Sequence, residues 1–209
     1  DAFRHLLSGR QRPVGLECPM DVWGRAAPVA LPEGGAAAEV APVDEDAVEA
    51  AAKLLGAAER PLLVVGGGAQ HASAEVRQIA EMLQAPVLAI RMGLGVMDVR
   101  HPLAVTMMAG HHLWGEADAV LAVGTRLQAQ QMTWGIDDRL KVVRIDADPE
   151  EIDRQRRPAV GIVGDAAATL RSLIDRLGRH NRKRASRAEE TAGISAKYAA
   201  VYAALRELG

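Results

Sequence analysis

The sequence predicts an α/β domain, a doubly wound and mostly parallel sheet of five or six strands with helices on both faces. Apolar residues make up 49% of the chain but aromatic residues only 3%, so the core must consist of Ala, Val, Leu and Ile. Apolar runs of strand length alternate with segments of helical periodicity. Strands that are apolar along their whole length are typical of a parallel sheet that is covered on both faces.

The first half of the predicted domain alternates helix and strand. Asp44 is a candidate N-cap for a helix that extends to Leu55. Residues 62–65 form a continuous apolar run and predict the first strand. Residues 72–83 carry apolar side chains at helical spacing and predict a helix, and residues 86–90 predict the second strand.

The second half repeats this alternation. Asp148 followed by Pro149 is typical of a helix start. Asp165 is the candidate N-cap of a last helix that extends to Leu177. The other predicted elements are a helical stretch at residues 111–116 and strands at residues 119–123, 141–146 and 160–163. Together these elements predict a Rossmann-like nucleotide-binding fold (DHS-like).

Composition divides the chain into four regions. Residues 1–23 contain a short helix and a strand-like run at Pro13–Cys18, and residues 24–43 are rich in Ala, Gly and Pro and are expected to be a linker. Residues 44–178 form the α/β domain. Residues 179–209 begin with a basic run, expected to be a solvated connector, and end in an Ala-rich helix.

Bulk properties exclude several classes of protein. The net charge of −2 gives no reason to expect nucleic acid as a partner, and no apolar run reaches the ~20 residues of a membrane span. Cys18 is the single cysteine, so multi-cysteine zinc sites are excluded and a small buried hydrophobic role is expected for it. The first residues resemble neither a signal nor a transit peptide, and a cytoplasmic location is therefore expected.

Several glycines and polar residues follow predicted strands. Gly66, Gly67 and Gly68 end the first strand, where they could either hold a phosphate or form a tight turn beneath a helix. The dinucleotide fingerprint is incomplete because His71 replaces its third glycine and Arg91 stands where an acidic residue is needed. NAD binding is therefore not expected.

Other strand ends offer polar groups for the same kind of ligand. Gly124, Thr125 and Arg126 follow a strand and could contact a phosphate, or form an ordinary turn. Asp146 could bind a ribose hydroxyl, whereas Asp148 is more simply explained as a helix cap.

The sequence shows no catalytic or metal-binding constellation. His111 and His112 are adjacent, so they point in different directions from a helix, and no acidic residue or cysteine stands at ligand spacing beside them. No nucleophile and base stand at a suitable spacing. We therefore expect neither a catalytic residue nor a metal ligand in this chain.

The ordered series of motifs resembles the central domain of thiamine-diphosphate-dependent enzymes of the acetolactate synthase, pyruvate decarboxylase and benzoylformate decarboxylase type. The motifs are residues 60–69, 83–87, 92–95, 101–103, 117–127, 145–149 and 164–165. Residues 2–22 are similar to the end of the family's pyrimidine-binding domain, and residues 203–209 to the first helix of its diphosphate-binding domain. The resemblance thus covers nearly the whole chain.

The resemblance implies that thiamine diphosphate and Mg²⁺ belong to the parent enzyme and not to this chain alone. The family's activating glutamate would precede Asp1, and its Gly-Asp-Gly…Asn metal motif would follow Gly209. The missing pyrimidine- and diphosphate-binding domains are the implied partners, in a homodimer or homotetramer. The parent would cleave or form a bond beside a carbonyl, as a lyase or transferase, while this chain would provide a scaffold.

Some members of this family bind FAD or ADP on the central domain. The matching positions are Gly66, Gly67, Gly68, Arg91, Gly124, Thr125, Arg126, Asp146 and Asp165. Two departures stand against FAD, because the segment from Leu103 to Ala117 is shortened and Gln128-Ala129 replaces an acidic pair. The alternative to a central domain is a stand-alone FAD- or ADP-binding module of electron-transfer-flavoprotein type, which leaves the two end segments unexplained.

Overall fold

Six parallel strands form one sheet in the order β3-β2-β1-β4-β5-β6. The computed structural model describes residues 1–31, 34–35, 37, 41–135 and 137–207. The strands are β1 Pro61–Val65, β2 Val87–Ala89, β3 Ala104–Val105, β4 Ala119–Val123, β5 Lys141–Asp146 and β6 Val160–Val163. This order is the doubly wound one, in which β2 and β3 are added on one side of β1 and β4, β5 and β6 on its other side. The predicted fold class is confirmed.

Alternate residues of each central strand enter different cores. The helices are α1 Ala2–Leu7, α2 Glu45–Ala57, α3 Ser73–Leu83, α4 Met107–Trp114, α5 Pro149–Ile152, α6 Ala166–His180 and α7 Ala188–Glu207. Leu63 and Val65 of β1 belong to one cluster, with side chains of α2, α3 and α6, and Leu62 and Val64 belong to a second cluster, with side chains of α4. Both faces of the sheet are thus buried, which explains the uniformly apolar strands.

α4 begins earlier than the sequence predicts. The prediction placed the helical stretch at residues 111–116, but the helix starts after Thr106, whose hydroxyl oxygen accepts a hydrogen bond from the amide of Ala109 at 3.4 Å. Gly110 lowers the intrinsic helix propensity at this point. A Cβ on Gly110 would lie 2.7 Å from a methyl of Leu88, so the glycine lets α4 approach the sheet. Tertiary packing has overridden local propensity.

The basic segment after α6 is held against the domain. The Arg184 guanidinium donates to the backbone carbonyls of Leu55, Gly56 and Ala58, at the end of α2. Arg187 donates to the carbonyl of Pro61. The segment is therefore solvated only in part, because carbonyls near the end of α2 and at the start of β1 bind Arg184 and Arg187, while Arg182 and Lys183 are exposed.

Two compact units divide the chain, Asp1–Ala41 and Pro42–Gly209. In the described part of the first unit, α1 and a 3₁₀ turn at Met20–Val22 are formed, but the run at Pro13–Cys18 forms no strand. The described residues of this unit offer it no strand to pair with. Cys18 is exposed, so its expected burial is wrong. No helix within the described residues is both long and apolar enough to cross a membrane.

Candidate functional site

The predicted site residues gather at the carboxyl edge of the sheet. β1, β2 and β4 end at Val65, Ala89 and Val123, and β5 and β6 end at Asp146 and Val163. All nine predicted residues stand at these strand ends or within three residues of them. Because the strands are parallel neighbours, their carboxyl ends share one edge, where ligands bind in open α/β sheets.

The glycines of this edge bring two turns into direct backbone contact. The amide of Gly66 donates to the carbonyl of Val123 at 3.0 Å, and the amide of Gly68 to the carbonyl of Gly124 at 3.1 Å. A Cβ on Gly124, whose φ is +56°, would lie 2.4 Å from the backbone of Gly68. The tight-turn interpretation therefore accounts for Gly66, Gly68 and Gly124, and two amides that could have faced a phosphate are already paired.

The turn after β4 is also held by its own side chains. Thr125 is buried, and its hydroxyl accepts from the amide of Leu127 at 3.1 Å. Leu127 has a φ of +53°, a left-handed conformation that this hydrogen bond supports. Arg126 is half exposed, and its Nε lies 3.3 Å from the carboxylate of Glu151, whose side chain is only 2% exposed.

A buried arginine that sequence inspection missed supports the same edge. Arg144 lies inside β5 with 1% of its surface exposed. Its guanidinium donates to the carbonyl of Ile152 at 3.0 Å and to that of Thr125 at 3.2 Å. Burial lowers the pKa of Arg144, and the nearby carboxylates, Asp146 foremost, oppose that effect. A charged residue inside the otherwise apolar run of β5 was the available signal.

The predicted acidic residues have different environments. Asp146 accepts from the amide of Asp148 at 3.0 Å, and burial raises the pKa of Asp146. Asp148 caps α5 by accepting from the amide of Glu150, and Asp165 caps α6 by accepting from that of Ala168. Both predicted caps are confirmed. Arg91 is exposed and adopts a φ of +45° at the start of a 3₁₀ turn.

The histidines contact aromatic rings. His111 lies 4.8 Å from Trp134 between ring centroids, and His112 lies 6.5 Å from Tyr198. The expectation that no acidic residue stands beside them is wrong, because Nε2 of His112 lies 3.4 Å from the carboxylate of Glu116, one helical turn later. Within the part of the chain that the structure describes, no group of three or more His, Cys, Asp or Glu residues could hold a metal ion. The polar groups of the carboxyl edge mainly fix turns and helix starts.

Comparisons with known proteins bear on the same region. The family described as thiamine pyrophosphate enzyme, central domain, matches residues 48–173. The large subunit of acetolactate synthase isozyme 1 of Escherichia coli is 32% identical over 183 residues, which are 83% of this chain and 33% of that protein. A probable 2-ketoarginine decarboxylase of Pseudomonas aeruginosa is 36% identical over 219 residues, 99% of this chain and 38% of that protein.

A solved structure shares the fold. Benzoylformate decarboxylase from Polynucleobacter necessarius superposes with a TM-score of 0.67 at 19% identity, over 86% of this chain and 35% of that one. At this identity the likeness concerns the fold alone. The chain spans between 33% and 38% of the length of these three proteins.

Proposed function

Because this chain belongs to the thiamine pyrophosphate enzyme family, whose central domain it carries, we propose that it is the middle, scaffolding domain of a larger enzyme of the acetolactate synthase and decarboxylase type. The observation that carries the proposal is the family match over residues 48–173, which extends from α2 into α6 and includes the whole sheet. Thiamine diphosphate supplies such an enzyme with a stabilised carbanion at a carbonyl carbon.

The residues that the structure describes do not fit a site for that cofactor. Its diphosphate requires a divalent metal in the family that the sequence resembles, and the described residues contain no metal-binding cluster. We therefore assign thiamine diphosphate and Mg²⁺ to other domains of the parent enzyme. In this proposal the central domain positions its neighbours and takes no part in the reaction.

Exposed apolar side chains in the first unit and near the end of α7 support the proposal that further domains pack against this chain. In the first unit, Leu16, Met20 and Trp23 are 80%, 90% and 77% exposed. Near the end of α7, Tyr202 and Leu205 are 52% and 58% exposed. Tyr202 and Leu205 stand three residues apart and so share one face of α7, and contiguous exposed apolar surface is typical of a face that another domain covers. We propose that residues 1–23 are the end of the pyrimidine-binding domain, residues 24–43 the linker, residues 44–178 the central domain, and residues 179–209 the connector and first helix of the diphosphate-binding domain.

FAD or ADP at the carboxyl edge stays a prediction, and so do a cytoplasmic location and a dimeric or tetrameric parent. The predicted nucleotide contacts share one edge, which supports such a site, but Gly66, Gly68 and Arg126 already have partners within the chain. Calorimetric titration with FAD, ADP and NAD tests it. Binding of FAD or ADP that Arg126→Gln weakens would support the site, and an unaffected isotherm would speak against it.

A domain replacement tests the proposed function. The aligned third of the E. coli acetolactate synthase subunit would be replaced by this chain, and thiamine diphosphate binding would be measured by calorimetry. We expect the chimera to bind the cofactor, because the replaced domain only positions the others. A matched chimera carrying Gly124→Leu should lose binding, since the side chain would collide with the backbone of Gly68. A folded chimera that binds no thiamine diphosphate would contradict the proposal.

A further inference from the structure

One side of α7 joins this helix to the α/β domain. Thr191 is buried, and its hydroxyl donates to the carbonyl of Pro102 at 2.5 Å. Further along the helix, Ile194 packs against the core cluster that contains side chains of α4, and the ring of Tyr198 lies 6.5 Å from that of His112. Residues 191, 194 and 198 are spaced by three and four, so they share one side of the helix. The first half of α7 is therefore packed on the domain.

Charged groups fix the start of this helix. Nε and Nη2 of Arg187 donate to the two carboxylate oxygens of Glu190, at 2.6 and 3.1 Å. Arg60, which directly precedes β1, pairs with the same carboxylate, and its guanidinium also lies 2.5 Å from the carboxylate of Glu116, just after α4. Hydrogen bonds from Arg187 and then from Arg60 lower the pKa of Glu190 against the opposing effect of burial. Glu190 is therefore ionised at neutral pH, and it links α7 to the start of the sheet.

These ion pairs differ from an isolated pair on a protein surface, which contributes little to stability. The side chain of Arg187 is only 11% exposed, and it donates to the carbonyl of Pro61 in β1 in addition to its two bonds to Glu190. A guanidinium that binds a carboxylate through two parallel hydrogen bonds is held in one geometry as well as strongly. We call the following set of residues the latch: Arg60, Arg187, Glu190 and Thr191.

The side of α7 that contacts the domain continues towards the end of the helix. Val201, Tyr202 and Leu205 follow Tyr198 by three, four and seven residues, which is the spacing of one continued helical face. All three are exposed, in contrast to Thr191. One uninterrupted helix thus has a first half that is fixed to the domain and a second half whose apolar side chains are exposed.

We propose that the latch makes α7 a rigid lever, which fixes the direction of its exposed half and with it the orientation of the domain that packs there. At about 1.5 Å per residue, the end of the helix lies roughly 25 Å from Glu190, so a small rotation at the latch displaces the end by several times as much as the start. The orientation of a neighbouring domain rests on the proposed function, whereas the fixed direction of the helix does not.

Electron–electron double resonance on the 209-residue chain measures the direction of α7. Spin labels are attached at Arg77→Cys on α3 and Ala199→Cys on α7, both exposed positions, after Cys18→Ser has removed the natural thiol. We expect one narrow distance distribution, which Glu190→Gln broadens. The matched control Arg139→Gln removes an exposed ion pair and should leave the distribution unchanged. A broad distribution with an intact latch, or no effect of Glu190→Gln, would overturn the proposal.

Amide hydrogen exchange of the same chain gives an independent readout. Arg60→Gln and Thr191→Val should each raise the exchange rates of residues 190–198 about tenfold, the loss expected for one hydrogen bond within a network. The amides of α3 should keep their rates, which shows that the variants are folded. Unaltered rates in the first half of α7 in both variants would contradict the latch.

The chimera described above tests the lever. Arg60→Gln in the chimera should weaken thiamine diphosphate binding in proportion to the fraction of molecules in which α7 is released, because only the others hold the neighbouring domain in place. An unaltered affinity would refute the lever. A chimera with an intact latch that binds no thiamine diphosphate would refute the proposed function alone, since the latch is measured in the chain without cofactor.

Discussion

Arg144 carries a positive charge into the interior of the sheet, and its guanidinium links three elements at the carboxyl edge. It belongs to β5, donates to the turn after β4 through Thr125 and donates to α5 through Ile152. Asp146 and Glu151 supply the opposing charge. Because buried charges are costly unless paired and hydrogen-bonded, these groups depend on one another.

Removing the guanidinium tests this dependence. Arg144→Met keeps an unbranched apolar side chain but leaves two carbonyls without their donor and the carboxylates without their cation. We expect the free energy of unfolding to fall by about 3 kcal/mol. Urea unfolding measures it. The control Arg139→Met removes an exposed ion pair and should cost far less; equal effects for the two variants would refute the role of Arg144.

The pKa of Asp146 predicts a pH dependence of stability. Burial raises this pKa, so the folded protein binds the proton more tightly than the unfolded chain does. The contribution of Asp146 to stability is therefore greatest below the ordinary carboxyl pKa of about 3.9 and falls as the pH rises through the raised value. The variant Asp146→Asn has no carboxyl group to lose its proton at this position. Its free energy of unfolding, relative to that of the unmodified protein, should therefore increase as the pH rises above 4.

A second aspartate provides a control of opposite sign. The hydrogen bond from Arg139 lowers the pKa of Asp137, so its stabilising contribution is present at neutral pH and is lost as the pH falls through the lowered value. Asp137→Asn should therefore lose stability at neutral pH relative to the unmodified protein. Denaturant unfolding between pH 3 and 7 measures both variants, and parallel curves for the two would contradict the assignment.

At the scale of elements, the turns after β1 and β4 are packed backbone against backbone. Gly124 is the central position, because both its positive φ and its distance from Gly68 exclude a side chain. If the glycine-rich turns pack against each other, replacing Gly124 lowers the stability of the chain even without a ligand. If they only bind a ligand, the replacement leaves that stability unchanged.

Gly124→Ala should destabilise the chain by about 4 kcal/mol, roughly 1 from the left-handed backbone and up to about 3 from the collision with Gly68. Gly95→Ala is the matched control, because Gly95 also has a positive φ, of +97°, but a Cβ added there would meet no atom within 4 Å. We expect a cost of about 1–2 kcal/mol at that position. Thermal unfolding of both variants in the absence of nucleotide gives the comparison, and equal costs would argue against the packing role.

The elements differ in how far sequence could predict them. The strands β4, β5 and β6 were predicted with their observed bounds, because short runs rich in apolar residues between turn residues are a local signal. β3 is only two residues long, Ala104–Val105, and forms because β2 offers it a ladder, which no periodicity reveals. A π-helical turn at Gln130–Trp134 likewise has no local signature.

The candidate site was predictable only in part, for a similar reason. Strand ends identify the carboxyl edge, so Gly66, Gly124 and Asp146 could be found from their positions. The role of Glu151 could not, because its contact with Arg126 joins two different strand-end segments and exists only once the sheet is formed. Which amides pair within the protein likewise depends on tertiary structure.

For the whole molecule, the fold and the family match are those of the central domain of thiamine pyrophosphate enzymes. The sheet is covered on both faces, its polar edge is occupied mainly by the chain's own hydrogen bonds, and apolar side chains are exposed in the first unit and near the end of α7. These features fit a middle domain whose neighbours hold the cofactor.

The most direct test of this role is a calorimetric titration of the purified 209-residue chain with thiamine diphosphate in the presence of Mg²⁺, with the unmodified chimera as positive control. We expect no saturable heat from the chain alone, and no consumption of a 2-oxo acid such as pyruvate in the same solution. A one-site isotherm with micromolar affinity, accompanied by turnover of the 2-oxo acid, would show that this chain is itself the enzyme and would contradict the scaffold role.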